Sequence, residues 1–154
     1  MGQPMAANIA KSGRSMVVFD AAGTAERAPK GAAVAASAAE VAAAADIVIL
    51  SLPDGKVSRL VSEQILESNS RKTAMILDTS TIGIAGAQAL QSDLAGQDLA
   101  YYDAPVSGGT AGAKAGTVAV MFAGPDAVYA ELEPLFSSFG RPFHVGTAPG
   151  QGQA

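Results

Sequence analysis

Asp46-Ile47-Val48-Ile49-Leu50-Ser51-Leu52-Pro53 is the stretch on which the fold turns. Its unbroken apolar run, Ile47 to Leu50, suits a strand covered on both faces, as in a parallel sheet with helices on either side. Just upstream, Ser37 and Glu40 have the spacing of a capping box in front of an alanine-rich run, which predicts a helix over Ala38–Ala45. Short runs rich in Val, Ile, Leu or aromatics recur at Ser15–Asp20, Ala74–Asp78, Leu99–Asp103 and Val118–Ala123, with helical stretches between them. Gly2–Ser12 reads as a helix stopped by Gly13 in the position where a left-handed conformation is cheapest. Between Pro125 and Phe139, the residues Val128, Leu132, Leu135, Phe136 and Phe139 fall at helical spacing and make one core-facing stripe. The expected class is α/β, a doubly wound sheet in one domain.

Composition narrows the chemistry. A chain of 154 residues, 49% of them hydrophobic, can bury a sizeable core. The net charge of −4, with basic residues scattered, argues against nucleic acid as a partner. There is no cysteine, hence no disulfide and no thiolate metal site, and no metal centre is expected. No apolar run approaches the roughly 20 residues needed to cross a bilayer, so no membrane partner is expected and a cytoplasmic location is.

The chemistry-bearing segment is Tyr102-Asp103-Ala104-Pro105-Val106-Ser107-Gly108-Gly109, continuing through Gly112, Lys114 and Gly116. It follows a strand and packs small residues around one serine. Glycine lacks a Cβ and tolerates positive φ, so backbone N–H groups and the Ser107 hydroxyl can converge on a carboxylate. The same composition also reads as an ordinary turn. A Walker-type phosphate loop is excluded, because no Gly-Lys-Ser/Thr closes the run.

Asp-Ala-Pro-Val-Ser-Gly-Gly resembles the substrate-binding signature of the β-hydroxyacid dehydrogenases, typified by 3-hydroxyisobutyrate dehydrogenase. The resemblance covers nearly the whole chain. It implies that Ser107, Gly108 and Gly109 hold a substrate carboxylate, and that the sheet is of Rossmann type with NAD as cofactor. Met1 to Gly13 is similar to the end of the family's glycine-rich turn, with Gly2 as its third glycine and Met5 in the following helix. The expectation is an incomplete dinucleotide-binding domain over 1–154, lacking its first strand and a C-terminal all-helical domain.

Asp20, closing a strand, stands where an acidic side chain accepts hydrogen bonds from the adenosine ribose, which favours NAD over NADP. It could equally be a turn former. By resemblance Leu52, Pro53 and Thr81, at two further carboxyl-terminal strand ends, contact the nicotinamide half. Val57 departs from the pattern, since 3-hydroxyisobutyrate dehydrogenases often carry asparagine there. His144 is expected to be structural.

Near the other end, Gly146 to Ala154 is similar to a pattern whose lysine is the general acid/base, and the pattern breaks off before that lysine. No catalytic residue is therefore expected in 1–154, and neither Lys11 nor Lys114 substitutes for one. The implied activity of the whole protein is hydride transfer between NAD and a small 3-hydroxy acid, giving a semialdehyde. A homo-oligomer is implied for the full-length protein. Alternatives are an imine reductase, a 6-phosphogluconate dehydrogenase-type relative, or a non-catalytic nucleotide-binding module.

Overall fold

The computed structural model describes all residues, Met1–Ala154. Helix α1 (Gly2–Lys11) leads into β1 (Val17–Val18), α2 (Thr24–Arg27), β2 (Ala33–Val34), α3 (Ala38–Ala44) and β3 (Ile47–Leu50). Then come α4 (Gly55–Leu66), β4 (Met75–Asp78), α5 (Ile84–Leu94) and β5 (Ala100–Asp103). The last third holds β6 (Val106–Ser107), α6 (Gly109–Ala115), β7 (Val118–Ala123), α7 (Asp126–Ser137), β8 (Gly140–Gly146) and a 3-10 turn at Gln151–Gln153. This is the expected α/β architecture of Rossmann type.

The apolar run of β3 does what its composition requires. Val48 and Leu50 enter one core with Val41, Ile65, Ile76, Leu90 and Tyr101, whereas Ile47 and Ile49 pack against the other, built on Leu77, Val120, Phe122 and Phe136. Successive side chains on a strand point to opposite faces, so an unbroken apolar run is satisfied only when both faces are covered. Strand β4 sits between β3 and β5, parallel to both, with Ile49 opposite Leu77 and Leu77 opposite Tyr102.

Helix termini follow local chemistry. Ser37 Oγ accepts the Glu40 N–H at 3.1 Å, and Glu40 Oε2 reaches back to the Ala36 N–H at 2.7 Å, a capping box displaced by one residue. Gly13 has φ +85°, the left-handed stop expected after α1. In α7 the predicted stripe buries Leu132, Leu135 and Phe136, with Phe139 behind them.

Three observations differ from the sequence reading. The strand expected over Ser15–Asp20 is only two residues long, because it pairs with the two-residue β2 alone. The stretch expected as a loop after Pro105 is instead β6, antiparallel to β7, followed by α6. Alternation is unreadable in a strand of two residues, and α6 is mostly Gly and Ala. Finally, β8 pairs parallel with β7 through Pro142 and His144.

Hydrogen bonding divides the strands into β1-β2, β3-β4-β5 and β6-β7-β8. Strand β1 pairs only with β2 and β3 only with β4, so each keeps one open edge. A two-stranded ribbon is marginal by itself. Amide exchange at Val17 and Val18 is therefore expected to be at least tenfold faster than at Val48 and Ile76; equal protection would contradict the topology. Closer packing limits β8: a Cβ on Gly140 would lie 2.5 Å from the Val118 carbonyl oxygen. Gly140→Ala should cost about 1–3 kcal/mol in denaturant unfolding, the usual range for overpacking.

Candidate functional site

The carboxyl ends of β1, β3, β4 and β5 lead to the residues singled out by sequence. Open α/β sheets bind ligands at such ends. At β1, Asp20 Oδ1 accepts the Ala22 N–H at 2.8 Å, and its backbone N–H donates to Thr24 Oγ1 at 2.9 Å. Both readings of Asp20 thus keep physical support: one carboxylate oxygen makes a turn, and the exposed side chain leaves Oδ2 on the surface. That oxygen lies 3.7 Å from Arg27 Nε.

Gly2 opens α1 beside the end of β3. A Cβ placed on Gly2 would come within 3.2 Å of Ser51 Cβ, so the helix start sits against the residue preceding Leu52 and Pro53. Met5 behaves differently. Its side chain is buried in the core with Ile9, Leu77 and Ala113, so it supports α1 from beneath and does not reach the ligand-facing surface.

The turn after β4 is built by three polar side chains. Buried Asp78 accepts the Ser80 N–H on Oδ1 at 2.9 Å and the Tyr101 hydroxyl on Oδ2 at 2.8 Å. Thr79 Oγ1 donates to the Leu50 carbonyl at 2.6 Å. Ser80 Oγ accepts the Leu52 N–H at 2.9 Å. Leu52 and Thr81 are consequently held on one rigid frame, with Thr81 exposed at its tip. Burial and the neighbouring Asp78 carboxylate drive the Tyr101 pKa upward, so this hydroxyl stays a donor.

A cavity of about 210 Å³ lies between that tip and the β5–β6 segment, lined by Thr81, Pro105, Val106, Ser107, Gly152 and Gln153 among others. The structure therefore brings Thr81 and Ser107 onto one concave surface. Ser107 is exposed, and Gly108 (φ +139°) and Gly109 (φ +64°) follow it in conformations that disfavour a side chain. No ionisable side chain lines the cavity. Lys114 is at the far end of α6, where the Asn8 side-chain amide donates to the Ala113 carbonyl at 2.7 Å and ties α6 to α1. His144 stacks on Tyr129 at 4.8 Å and its Nε2 donates to the Gly124 carbonyl at 2.7 Å, away from this cavity. No group of His, Cys, Asp and Glu is arranged to hold a metal.

Sequence reasoning did not single out the supports behind the site. Asp103 is one: only 1% exposed, it accepts the Gly150 N–H on Oδ1 at 2.9 Å while Oδ2 has no partner. Burial pushes its pKa above the ordinary value of 3.8; the Gly150 and Gly152 N–H groups oppose the shift and Asp78 adds to it. A raised folded-state pKa means that the folded chain binds the proton more tightly than the unfolded chain. The stabilisation is full below the unfolded value and is lost as pH rises through the folded one. Asp103→Asn keeps an oxygen for Gly150, so its stability relative to wild type should increase from pH 4 towards neutrality. Urea unfolding across that range checks the sign, and an opposite slope would refute it.

The family model for the NAD binding domain of 6-phosphogluconate dehydrogenase matches residues 1–147. A probable 3-hydroxyisobutyrate dehydrogenase of Mycobacterium tuberculosis is 38% identical over 157 residues, covering 100% of this chain and 53% of the relative. An NAD-dependent L-serine dehydrogenase of Pseudomonas aeruginosa is 38% identical over 151 residues, 95% of this chain and 51% of its own. The structure of Mycobacterium tuberculosis 3-hydroxyisobutyrate dehydrogenase with L-serine superposes with a TM-score of 0.87 at 33% identity, covering 98% of this chain and 53% of that one. The chain thus spans about half the length of these relatives. No helix is long and apolar enough to cross a membrane. With its Rossmann-type strands and that match over residues 1–147, the chain belongs to the family of the NAD binding domain of 6-phosphogluconate dehydrogenase.

Proposed function

We propose that this chain is the cofactor-binding part of an NAD-dependent oxidoreductase that interconverts a small 3-hydroxy acid and its semialdehyde. The observation that carries the reading is the cavity shared by Thr81 and Ser107, the two strand-end residues assigned to cofactor and substrate. The residues present fit the nucleotide: an exposed acid ends β1, and Gly2, Leu52, Pro53 and Thr81 follow along adjoining strand ends. When bound there, NAD supplies a hydride acceptor for the carbinol carbon.

Asp20 accepts from the ribose hydroxyls and its charge disfavours a 2′-phosphate, which supports NAD over NADP. The Ser107 hydroxyl and the backbone at Gly108 and Gly109 hold the substrate carboxylate and orient the reacting carbon towards the Thr81 side. Their contribution is positional. Met5 is assigned a packing role. Because no ionisable side chain lines the cavity, no side chain of this chain moves a proton there. The lysine of the resembled pattern and any oligomer contacts are assigned to the whole protein.

Two measurements test the reading. NADH should bind the 154-residue chain more tightly than NADPH, and Asp20→Ala should reduce that ratio by about tenfold, the scale of one charge-assisted hydrogen bond. A ratio unmoved by the substitution removes Asp20 from the site. With NAD and 3-hydroxyisobutyrate or glycerate, the chain should give no NADH above a protein-free control, and measurable turnover would overturn the assignment of proton transfer to a residue outside it.

A further inference from the structure

The 3-10 turn at Gln151–Gln153 bridges the two halves of the site, and one side chain makes most of that bridge. Gln153 Oε1 accepts the Ile82 N–H at 3.0 Å and the Gly83 N–H at 3.2 Å, while Nε2 donates to the Ser80 carbonyl at 3.1 Å. These bonds span some 70 residues of chain and enclose Thr81 on both sides. An amide is suited to this task, since it presents an acceptor and a donor at fixed separation to backbone groups of opposite polarity. A carboxylate would repel the Ser80 carbonyl, and an ammonium would lose both N–H donors.

The same turn is fastened on its other side. Gly150 donates to Asp103, four residues before Ser107, and a Cβ on Gly152 would lie 2.6 Å from both Asp103 Oδ2 and the Met121 carbonyl oxygen. The turn is thus seated tightly on the β5–β7 side and reaches across to the β4 turn through Gln153. Its Gly152 and Gln153 also line the cavity between Thr81 and Ser107.

We propose that Gln153 is a positioning residue, fixing the Ser80–Gly83 turn so that Thr81 stands at a set distance across the cavity from Ser107. It acts through Thr81 and the backbone around it. The nucleotide consequence rests on the cofactor assignment above: order at this turn matters for the nicotinamide end of NAD and not for the adenosine end near Asp20.

The test uses the labelled 154-residue chain. In Gln153→Ala, amide exchange at Ile82 and Gly83 should accelerate at least tenfold, with Val48 and Ile76 unchanged. Gln153→Glu, which keeps an oxygen for the two donors but repels the Ser80 carbonyl, should restore part of that protection, to less than wild type. NAD affinity should fall several-fold in Gln153→Ala while AMP affinity stays constant. Unchanged exchange at Ile82 and Gly83, or equal losses for NAD and AMP, would overturn the proposal. A wild-type chain that binds neither nucleotide would overturn the cofactor assignment instead, and exchange at Ile82 and Gly83 would then decide the role of Gln153 on its own.

Discussion

Everything at the site is hung from the parallel ladder of β3, β4 and β5, whose side chains must be buried on both faces. Val48, Leu50, Ile76 and Tyr101 fill one core, and Leu77 and Tyr102 face the other, where Phe122 packs against Phe136 at 5.5 Å between ring centres. Burial on two sides makes register unforgiving, because a slip of one residue exchanges the two faces entirely. Leu50 lies opposite Asp78, and Asp78 opposite Asp103. The residues beyond those ends are therefore delivered at the same height, and Leu52, Thr81 and Ser107 inherit their alignment from the ladder.

Polar groups convert that alignment into loop geometry. Asp78 satisfies a backbone N–H and a tyrosine hydroxyl, Thr79 a carbonyl of β3, and Ser80 an N–H of the β3 loop. Each such bond contributes only about 1 kcal/mol net, yet leaving any of these buried groups without a partner would cost more. Satisfaction of the whole set fixes the turn as far as Ser80, and Gln153 fastens its far side at Ile82 and Gly83. The motif that resembles a cofactor contact is thus mainly a joint between strands, and only Thr81 is free to face a ligand.

What was legible in the sequence follows from the same physics. The run Ile47–Leu50 announced two-sided burial because four successive apolar residues have no other economical placement, and Ser37 with Glu40 marked a helix start through side-chain chemistry that is local. The backbone freedom of Gly108 and Gly109 was legible too, and both take positive φ. Strands β2 and β6, of two residues each, carry no period. Asp103 and Gln153 escaped because their partners, Gly150 and the Ser80–Gly83 turn, lie 47 and some 70 residues away. Met5 shows the converse: a motif position need not present its side chain, and here it lies in the core.

Charge placement ties the buried frame to the proposed ligand. A carboxylate held at Ser107 would be repelled by an ionised acid facing the same cavity, and in a poorly screened interior that repulsion is larger than in water. Both acids near the site are set behind its surface. Asp78 is fully engaged by Ser80 and Tyr101, and Asp103 is turned towards Gly150, with burial favouring its neutral form. The side chains lining the cavity are those of a serine, a threonine, an amide and apolar residues, none of them ionisable. The arrangement uses carboxylates to fasten the loops while keeping their charge off the surface proposed to meet an anion, so that these acids serve the geometry of the site.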